Sequence, residues 1–408
     1  MAGHDEEPHA TPRGASWAAH WSAAARAVAT RASASARRLL APVAALWPFA
    51  LSARVRDLSP QPPPLRGEGE PESALDWEAA ARASMASPAR GSTWRGQSTR
   101  ARIIVNPTSG GGRGAALVRA GDALIASLAA RGLAAEICPT TGPGSARRLA
   151  EQAVRQGIEM VVAAGGDGTI NEVIQALVHH TTALGVLPLG TVNVWAREVG
   201  IPQGVAGACR VLVEGVRRRI DVGRANTRYF LLMAGIGIDA EITRRVERHW
   251  LKRVGLKMLG YIAAASYVGV TERPHRFTVR RGTQRRTAHA VQILIGNTRL
   301  WGGAIELAQR ALADDGWLDV VFIGGHHLRH RVNVVVRAAL HRRGLGPGTR
   351  YETVRTVHVE AAQPLAVQAD GELIGHLPMT FAVMPRALTV VVPRDARDDL
   401  FIHPPLDD

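Results

Sequence analysis

The run Met160-Val-Val-Ala-Ala-Gly-Gly-Asp-Gly-Thr-Ile-Asn-Glu-Val-Ile-Gln-Ala-Leu177 joins a short apolar strand, three glycines around one aspartate, and a helix that follows at once. Glycines let the backbone fold tightly and turn several N–H groups toward one anion. The helix start adds free N–H groups and the positive end of its dipole. Asp167, in the middle of the run, would repel a phosphate unless a cation lay between them. The chemistry indicated is a nucleotide phosphate held by main chain, with Asp167 working through Mg²⁺.

Other stretches could share that work. Asn106-Pro-Thr-Ser-Gly-Gly-Gly112 offers hydroxyls, an amide and several N–H donors at a strand end; alone it reads equally well as a connector. Beside the Gly165-Gly-Asp-Gly-Thr169 loop on the same sheet, it becomes half of a phosphate surface. In Gly190-Thr-Val-Asn193, Thr191 and Asn193 either meet the nucleotide or cap the next helix. Asp221 either joins Asp167 around a cation or makes a turn. Asp314-Asp-Gly316 reads as a turn before a strand, and Asp370-Gly-Glu372 as a β-turn with exposed acids.

The elements that must position these residues alternate. Strands are predicted at 102–105, 134–138, 160–164 and 184–187, with helices over 115–131, 145–156 and 170–178 between or after them. Such alternation implies a parallel sheet with helical layers, whose ligands lie outside the carboxyl ends of the strands. After Asp221 the texture becomes β-rich, with strands predicted at 229–233, 275–280, 290–295, 318–323, 356–360 and 365–368 around a helical insert at about 240–270. The last pair, 379–384 and 387–392, flanks Pro385-Arg386 like a hairpin. Alternation with turn signals suggests a sandwich or barrel. The expected division is a basic Ala/Arg/Pro-rich extension over 1–100, an α/β nucleotide-binding domain over 101–222, a β-rich domain over 223–396 whose last strands either stay with it or rejoin the first, and a tail over 397–408.

A chain of 408 residues can bury two cores. Its charge is +15, almost all from arginine; Lys252 and Lys257 are the two lysines. With no lysine near the glycine loop, a P-loop NTPase is excluded. The basic excess suits an anionic partner. There is no RNA-binding pattern of interleaved aromatic and basic residues and no DNA-reading motif, so a membrane surface is the preferred partner and nucleic acid is not. Trp17 to Arg56 has the makings of a basic amphipathic helix for surface attachment, or belongs to a structureless tail. Thr243 to Arg253 is basic and the stretch 256–270 apolar, suiting either anionic lipid or a packed helix. No stretch reaches the roughly 18–20 apolar residues of a spanning helix. Cys138 and Cys209 lack metal-ligand spacing and read as buried free thiols in a reducing cytoplasm.

Taken in order, Asn106-Pro-Thr-Ser-Gly110, Gly165-Gly-Asp-Gly-Thr-Ile-Asn-Glu172, Gly190-Thr-Val-Asn193, Asp221-Val-Gly223, Gly296-Asn-Thr-Arg-Leu-Trp-Gly-Gly303, Asp314-Asp-Gly-Trp-Leu-Asp319 and Asp370-Gly-Glu372 resemble the diacylglycerol kinase and sphingosine kinase catalytic family, in its bacterial lipid kinase branch. The resemblance runs from about Ala101 to Pro393. It implies an NAD kinase/diacylglycerol kinase-like fold and an ATP-dependent lipid kinase at the inner face of the membrane. ATP would meet Asn106, Pro107, Thr108, Ser109, Gly110, Thr140 (or Thr141), Gly165, Gly166, Asp167, Gly168, Thr169, Ile170, Asn171 and Thr191. Asp315, with the main-chain carbonyls of Leu312 and Trp317, would hold a structural Mg²⁺. Glu372 would be the general base for the lipid hydroxyl. Bacterial relatives usually carry Asp after the asparagine of the Gly-Thr motif, where this chain has Val194. NAD kinases share the Gly-Gly-Asp-Gly motif, so a soluble NAD kinase-like enzyme is one alternative and a catalytically silent lipid- or nucleotide-binding homologue another. The acceptor lipid, and whether the chain forms a homodimer, stay open.

Overall fold

The computed structural model describes residues 99–237, 274–303, 305–324, 345–346 and 348–406, with Val334 and Arg337. The basic extension over 1–100 with its Trp17 to Arg56 stretch, the helical insert and the basic segment at 243–253 lie wholly or almost wholly outside the described residues.

The first half is an alternating α/β unit. β1 (Thr99–Val105) leads through a tight turn into α1 (Arg113–Arg119) and α2 (Gly121–Ala129), then β2 (Leu133–Pro139), α3 (Ser145–Arg155), β3 (Met160–Gly165), α4 (Asp167–Leu177), β4 (Ala183–Pro188), α5 (Val194–Glu198) and α6 (Val205–Glu214). β1 pairs in parallel with β2 and β3, and β3 with β4. Every residue of β3 and β4 is buried, as expected for parallel strands covered on both faces. The single helix predicted over 115–131 is two, broken at Ala120. A Cβ on Gly121 would lie 2.9 Å from Ile137 Cδ1, so the chain bends where it comes closest to β2.

The second half is β-rich. Its strands are β5 (Val216–Ala225), β6 (Arg228–Phe230), β7 (Met233–Gly237), β8 (His275–Arg281), β9 (Gln284–Ala290), β10 (Gln292–Gly296), β11 (Leu300–Trp301), β12 (Ile305–Glu306), β13 (Leu318–Ile323), β14 (Thr349–Val354), β15 (Thr356–Ala361), β16 (Ala366–Ala369), β17 (Glu372–His376) and β18 (Met379–Val392). A six-stranded antiparallel sheet runs β14-β13-β10-β7-β16-β17. β11 and β12 pair with each other in a two-stranded sheet, and the remaining strands extend the first sheet in the order β2-β1-β3-β4-β18-β15-β8-β9, with β5 on β18 and β6 on β5. Phe230, Phe277, Leu318 and Phe381 pack in the core of this half.

Two strand expectations are corrected. The strand predicted at 229–233 is split between β6 and β7, because the N–H groups of Leu231, Leu232 and Met233 turn to the carboxylate of Asp370. The predicted hairpin at Pro385-Arg386 is a bulge inside one strand, β18. Met384 pairs with Val222 and Leu388 with Ile220, so residues 385–387 stand opposite Asp221 alone. Arg386 takes φ 47° there and donates its N–H to Asp221 Oδ1 at 2.6 Å. The bulge lets one strand serve both halves, pairing β15 at one end and β4 at the other. The two cysteines are free but only half-buried.

Candidate active site

Three strands of the parallel sheet end in loops that touch. After β1, Asn106 Oδ1 accepts bonds from the N–H and hydroxyl of Thr108 (3.0 and 2.9 Å), which closes the turn. Gly110, Gly111 and Gly112 then take left-handed φ of 63°, 64° and 108°. Thr140, at the end of β2, is tied back by its N–H to Val105 O at 2.8 Å. After β4, the N–H groups of Leu189 and Gly190 both donate to Gly165 O (3.0 and 3.2 Å). A Cβ on Gly190 would lie 2.6 Å from Gly166 Cα, and one on Gly110 would strike Leu189 O. Only glycine permits these approaches, and they bring residues 106–112, 165–168 and 189–191 to one edge of the sheet.

Not every member of the expected nucleotide set faces that edge with its side chain. Thr108, Gly168 and Thr191 are exposed; Asn106, Pro107, Ser109, Gly110, Thr140, Gly166 and Asp167 are half-buried. Gly165, Thr169, Ile170 and Asn171 are buried. Thr169 packs on Gly165, and the N–H groups of Thr169 and Ile170 bond Gly166 O, so these residues build the helix start rather than reach outward. Asn193 is likewise turned inward: its Nδ2 donates to Gly190 O (3.0 Å) and Gln203 Oε1 (2.9 Å). Thr141, exposed, donates its N–H to Ser145 Oγ.

Asp167 opens α4 at the mouth of this edge. Burial pushes its carboxyl up to about 6, the N–H of Trp195 opposes the shift, and the nearby charge of Asp370 adds to it. The Trp195 N–H reaches Asp167 Oδ1 at 3.4 Å from the start of α5.

From the second half, Glu372 arrives at the same helix start. A Cβ on Gly168 would lie 3.5 Å from Glu372 Oε1. Its other oxygen accepts Arg228 Nη2 at 2.7 Å. Burial raises the Glu372 carboxyl, Arg228 lowers it, and Glu172 and Asp370 raise it again. Asp370 is no exposed turn acid. It takes φ 48° in the Asp-Gly turn between β16 and β17, and its oxygens accept Leu231 N, Leu232 N and Met233 N (2.7, 2.9 and 3.1 Å) and Asn171 Nδ2 (2.9 Å). A candidate base from one half therefore stands over the glycine loop of the other.

The sequence matches the diacylglycerol kinase catalytic domain over residues 100–225 and the YegS C-terminal NAD kinase beta sandwich-like domain over residues 233–392. The chain belongs to the diacylglycerol kinase/YegS-like lipid kinase family. A diacylglycerol kinase of Staphylococcus aureus (strain bovine RF122 / ET3-1) is 29% identical over 316 residues, covering 76% of this chain and 98% of that protein. The strain JH9 diacylglycerol kinase is 29% identical over 310 residues, covering 74% and 96%. The crystal structure of a candidate diacylglycerol kinase from Bacillus anthracis str. Sterne shares the fold, with a TM-score of 0.63 at 21% identity over 74% of this chain and 97% of that one.

In this kinase the side chain of Val194 is buried and packs toward the turn after β11, where a Cβ on Gly303 would lie 3.6 Å from Val194 Cγ2. An apolar contact thus fills the place where the resemblance leads one to expect an acid. Asp221 does not join Asp167. Its oxygens accept the N–H groups of Gly316 (2.5 Å) and Arg386 (2.6 Å), which binds it into the Asp314-Asp315-Gly316 turn.

That turn is the expected cation site. Among the described residues, no three His, Cys, Asp or Glu side chains converge on a common metal position, so a cation here would lean on main-chain carbonyls. The donors otherwise fit a hard cation. Asp319 Oδ1 is buried with no partner among the described residues. Burial pushes the Asp221 and Asp319 carboxyls up to about 6, with the charge of Asp315 adding to each. Asp315 is raised by burial and then by Asp314, while the Trp317 N–H, 2.9 Å from its Oδ1, pulls the other way.

Sequence reasoning missed Asp370, Asn171 and Arg228 as a connected set. Arg228 is one arginine among many, and its partner Glu372 lies 144 residues away, so no local signal marks it. Glu172 was also passed over; it accepts the N–H groups of Gly144 and Ala146 and caps α3.

Proposed function

We propose that the kinase transfers the γ-phosphate of ATP to the hydroxyl of a membrane lipid, diacylglycerol or a related alcohol. The observation that carries this reading is the approach of Glu372 Oε1 to Gly168, 3.5 Å from where a Cβ would stand. The loops at 106–110 and 165–168, with Thr140 and Thr191 at their margins, would grip the triphosphate through main-chain N–H groups and hydroxyls. Glu372 would take the proton of the lipid hydroxyl as its oxygen attacks the γ-phosphorus, and ADP would leave. Burial raises Glu372 toward the working pH, which favours that role. Asp167 would face the phosphates through Mg²⁺, and Asp315 with the carbonyls of Leu312 and Trp317 would hold a structural Mg²⁺. When bound, the catalytic cation neutralises charge on the transferred phosphoryl group.

The net charge of +15 supports work at an anionic membrane surface, and the product would serve phospholipid synthesis. No helix among the described residues is long and apolar enough to cross a membrane. The test is a panel of diacylglycerol, glycerophospholipid, sphingoid base, ceramide, polyprenol and NAD, each offered with radiolabelled ATP to wild type and Glu372→Gln. Lipid labelling by wild type and its loss in the variant are expected. Labelling of NAD, or equal labelling by both proteins, refutes the reading.

A further inference from the structure

Glu372 lies at the start of β17, on the edge of the six-stranded sheet, and needs something to aim it. Arg228 does so with one nitrogen. Its Nη2 donates to Asn171 Oδ1 at 2.6 Å and to Glu372 Oε2 at 2.7 Å. Asn171 sits on α4, the helix that begins in the glycine loop, and its own Nδ2 donates to Asp370 two residues before Glu372. Asp370, Asn171, Arg228 and Glu372 thus form one unbroken chain of hydrogen bonds between the phosphate-loop helix and the candidate base.

Stability does not account for this arrangement. The Arg228 and Glu372 side chains are 31% and 39% exposed, where an ion pair adds little to folding. Arg228 Nε is buried without a partner among the described residues, which is a cost. What the arrangement gains is position: Oε2 is held and Oε1 is left facing Gly168.

We infer that Arg228 is a positioning residue of the phosphoryl transfer, holding Glu372 aimed at the start of α4. The inference rests on the reading of Glu372 as the base. The groups facing Glu372 are Arg228 on β6, Glu172 on α4 and Asp370 in the turn before it. Removing the one positive charge among them raises the carboxyl further, so a higher pH is needed to ionise it.

The experiment compares wild type, Arg228→Met, Arg228→Lys and Arg228→Ala by steady-state kinetics across pH, with melting curves to check folding. Arg228→Met should lower kcat by about 10–100-fold, as for a modest misplacement of a reacting group, with the KM for ATP nearly unchanged. The acid limb of its kcat/KM profile should move to higher pH. Arg228→Lys should recover most of the rate, because a single nitrogen makes both bonds. Guanidine at millimolar concentration should partly rescue Arg228→Ala, since the pair is open to water. A wild-type kcat in Arg228→Met, a rise in the KM for ATP alone, or a loss of rate with neither a moved limb nor rescue would each overturn the proposal. A readout independent of turnover separates it from the functional reading: the Glu372 carboxylate followed by ¹³C NMR, assigned against Glu372→Gln. Its titration should move to higher pH in Arg228→Met. If it stays put, Arg228 does not govern the base, whatever lipid is phosphorylated. If it moves while no lipid is labelled, the pair stands and the lipid kinase reading fails.

Discussion

The two sides of the candidate site are built on different principles. On the α/β side, the candidate nucleotide surface is main chain: residues close in sequence form loops that meet because glycine lets backbone touch backbone, as at Gly190 and Gly166. On the β side, the candidate groups are side chains joined over long distances, Asp370 to Asn171 of α4 across 199 residues and Glu372 to Arg228 across 144. Main-chain recognition is tolerant of sequence outside its glycines. A side-chain assembly fails when any one member is lost. The two sides should therefore break in different ways.

The largest effect is expected on the side-chain side. Glu372→Gln keeps an oxygen for Arg228 but cannot take a proton. Its kcat should fall about 10²–10⁴-fold with binding of ATP little changed, measured by steady-state kinetics and calorimetry. A parallel loss of ATP affinity would mean that Glu372 belongs to the nucleotide grip, and the contrast would collapse.

Next comes Asp370→Asn, which replaces one of two carboxylate oxygens, each accepting two bonds. Leaving two enclosed donors without an acceptor costs about 1–3 kcal/mol each. Urea denaturation should show a loss of about 2–6 kcal/mol, together with a kcat below that of wild type because Glu372 lies two residues on. A fully stable variant would show that the split between β6 and β7 does not depend on this carboxylate.

On the main-chain side, Gly190→Ala introduces a Cβ 2.6 Å from both Asn193 Oδ1 and Gly166 Cα. The loops must part, at about 1–3 kcal/mol for overpacking. The expected signature is a KM for ATP raised roughly tenfold with kcat nearly preserved, since each 1.4 kcal/mol is tenfold in affinity. A fall in kcat at constant KM would show that the loops position the reacting phosphoryl and do more than hold the tail.

The same contrast explains what could be read from the sequence. The glycine loops, the parallel strands and the later β texture rest on local signals, whereas Glu372 was reached only through the family resemblance, since Asp370-Gly-Glu372 by itself reads as a turn. Asp221 was left open between a cation shared with Asp167 and a turn; a bulge in β18 that no local pattern announces decides it by turning its carboxylate to the N–H groups of Arg386 and Gly316. Asn193 was a candidate ligand, and the left-handed turn that points its amide at Gly190 O is a property of the folded loop. Arg228 could not be found, because only the packing of β6 beside α4 distinguishes it from its many arginine neighbours in sequence.

The smallest expected effect lies where the two sides meet. The folded-state carboxyl of Asp167 is pushed up to about 6 from an ordinary 3.8, so the native protein holds this proton more tightly than the unfolded chain does. The stability the proton contributes is fully present below about pH 3.8 and is lost as pH rises to about 6. Above that, the ionised carboxylate is a standing cost of about 1–2 kcal/mol once solvent screening is allowed for. Asp167→Asn keeps an oxygen for the Trp195 N–H and removes the charge. Without nucleotide or Mg²⁺, the variant should therefore melt a few degrees above wild type at pH 8, with the gap closing as pH falls from 6 toward 4. It should also be the less active protein at every pH. If the gap persists at pH 4, burial of this charge is not its cause. If there is no gap at all, the carboxylate is already solvated, and it belongs with the open loops and not with the enclosed acids of the β-rich side.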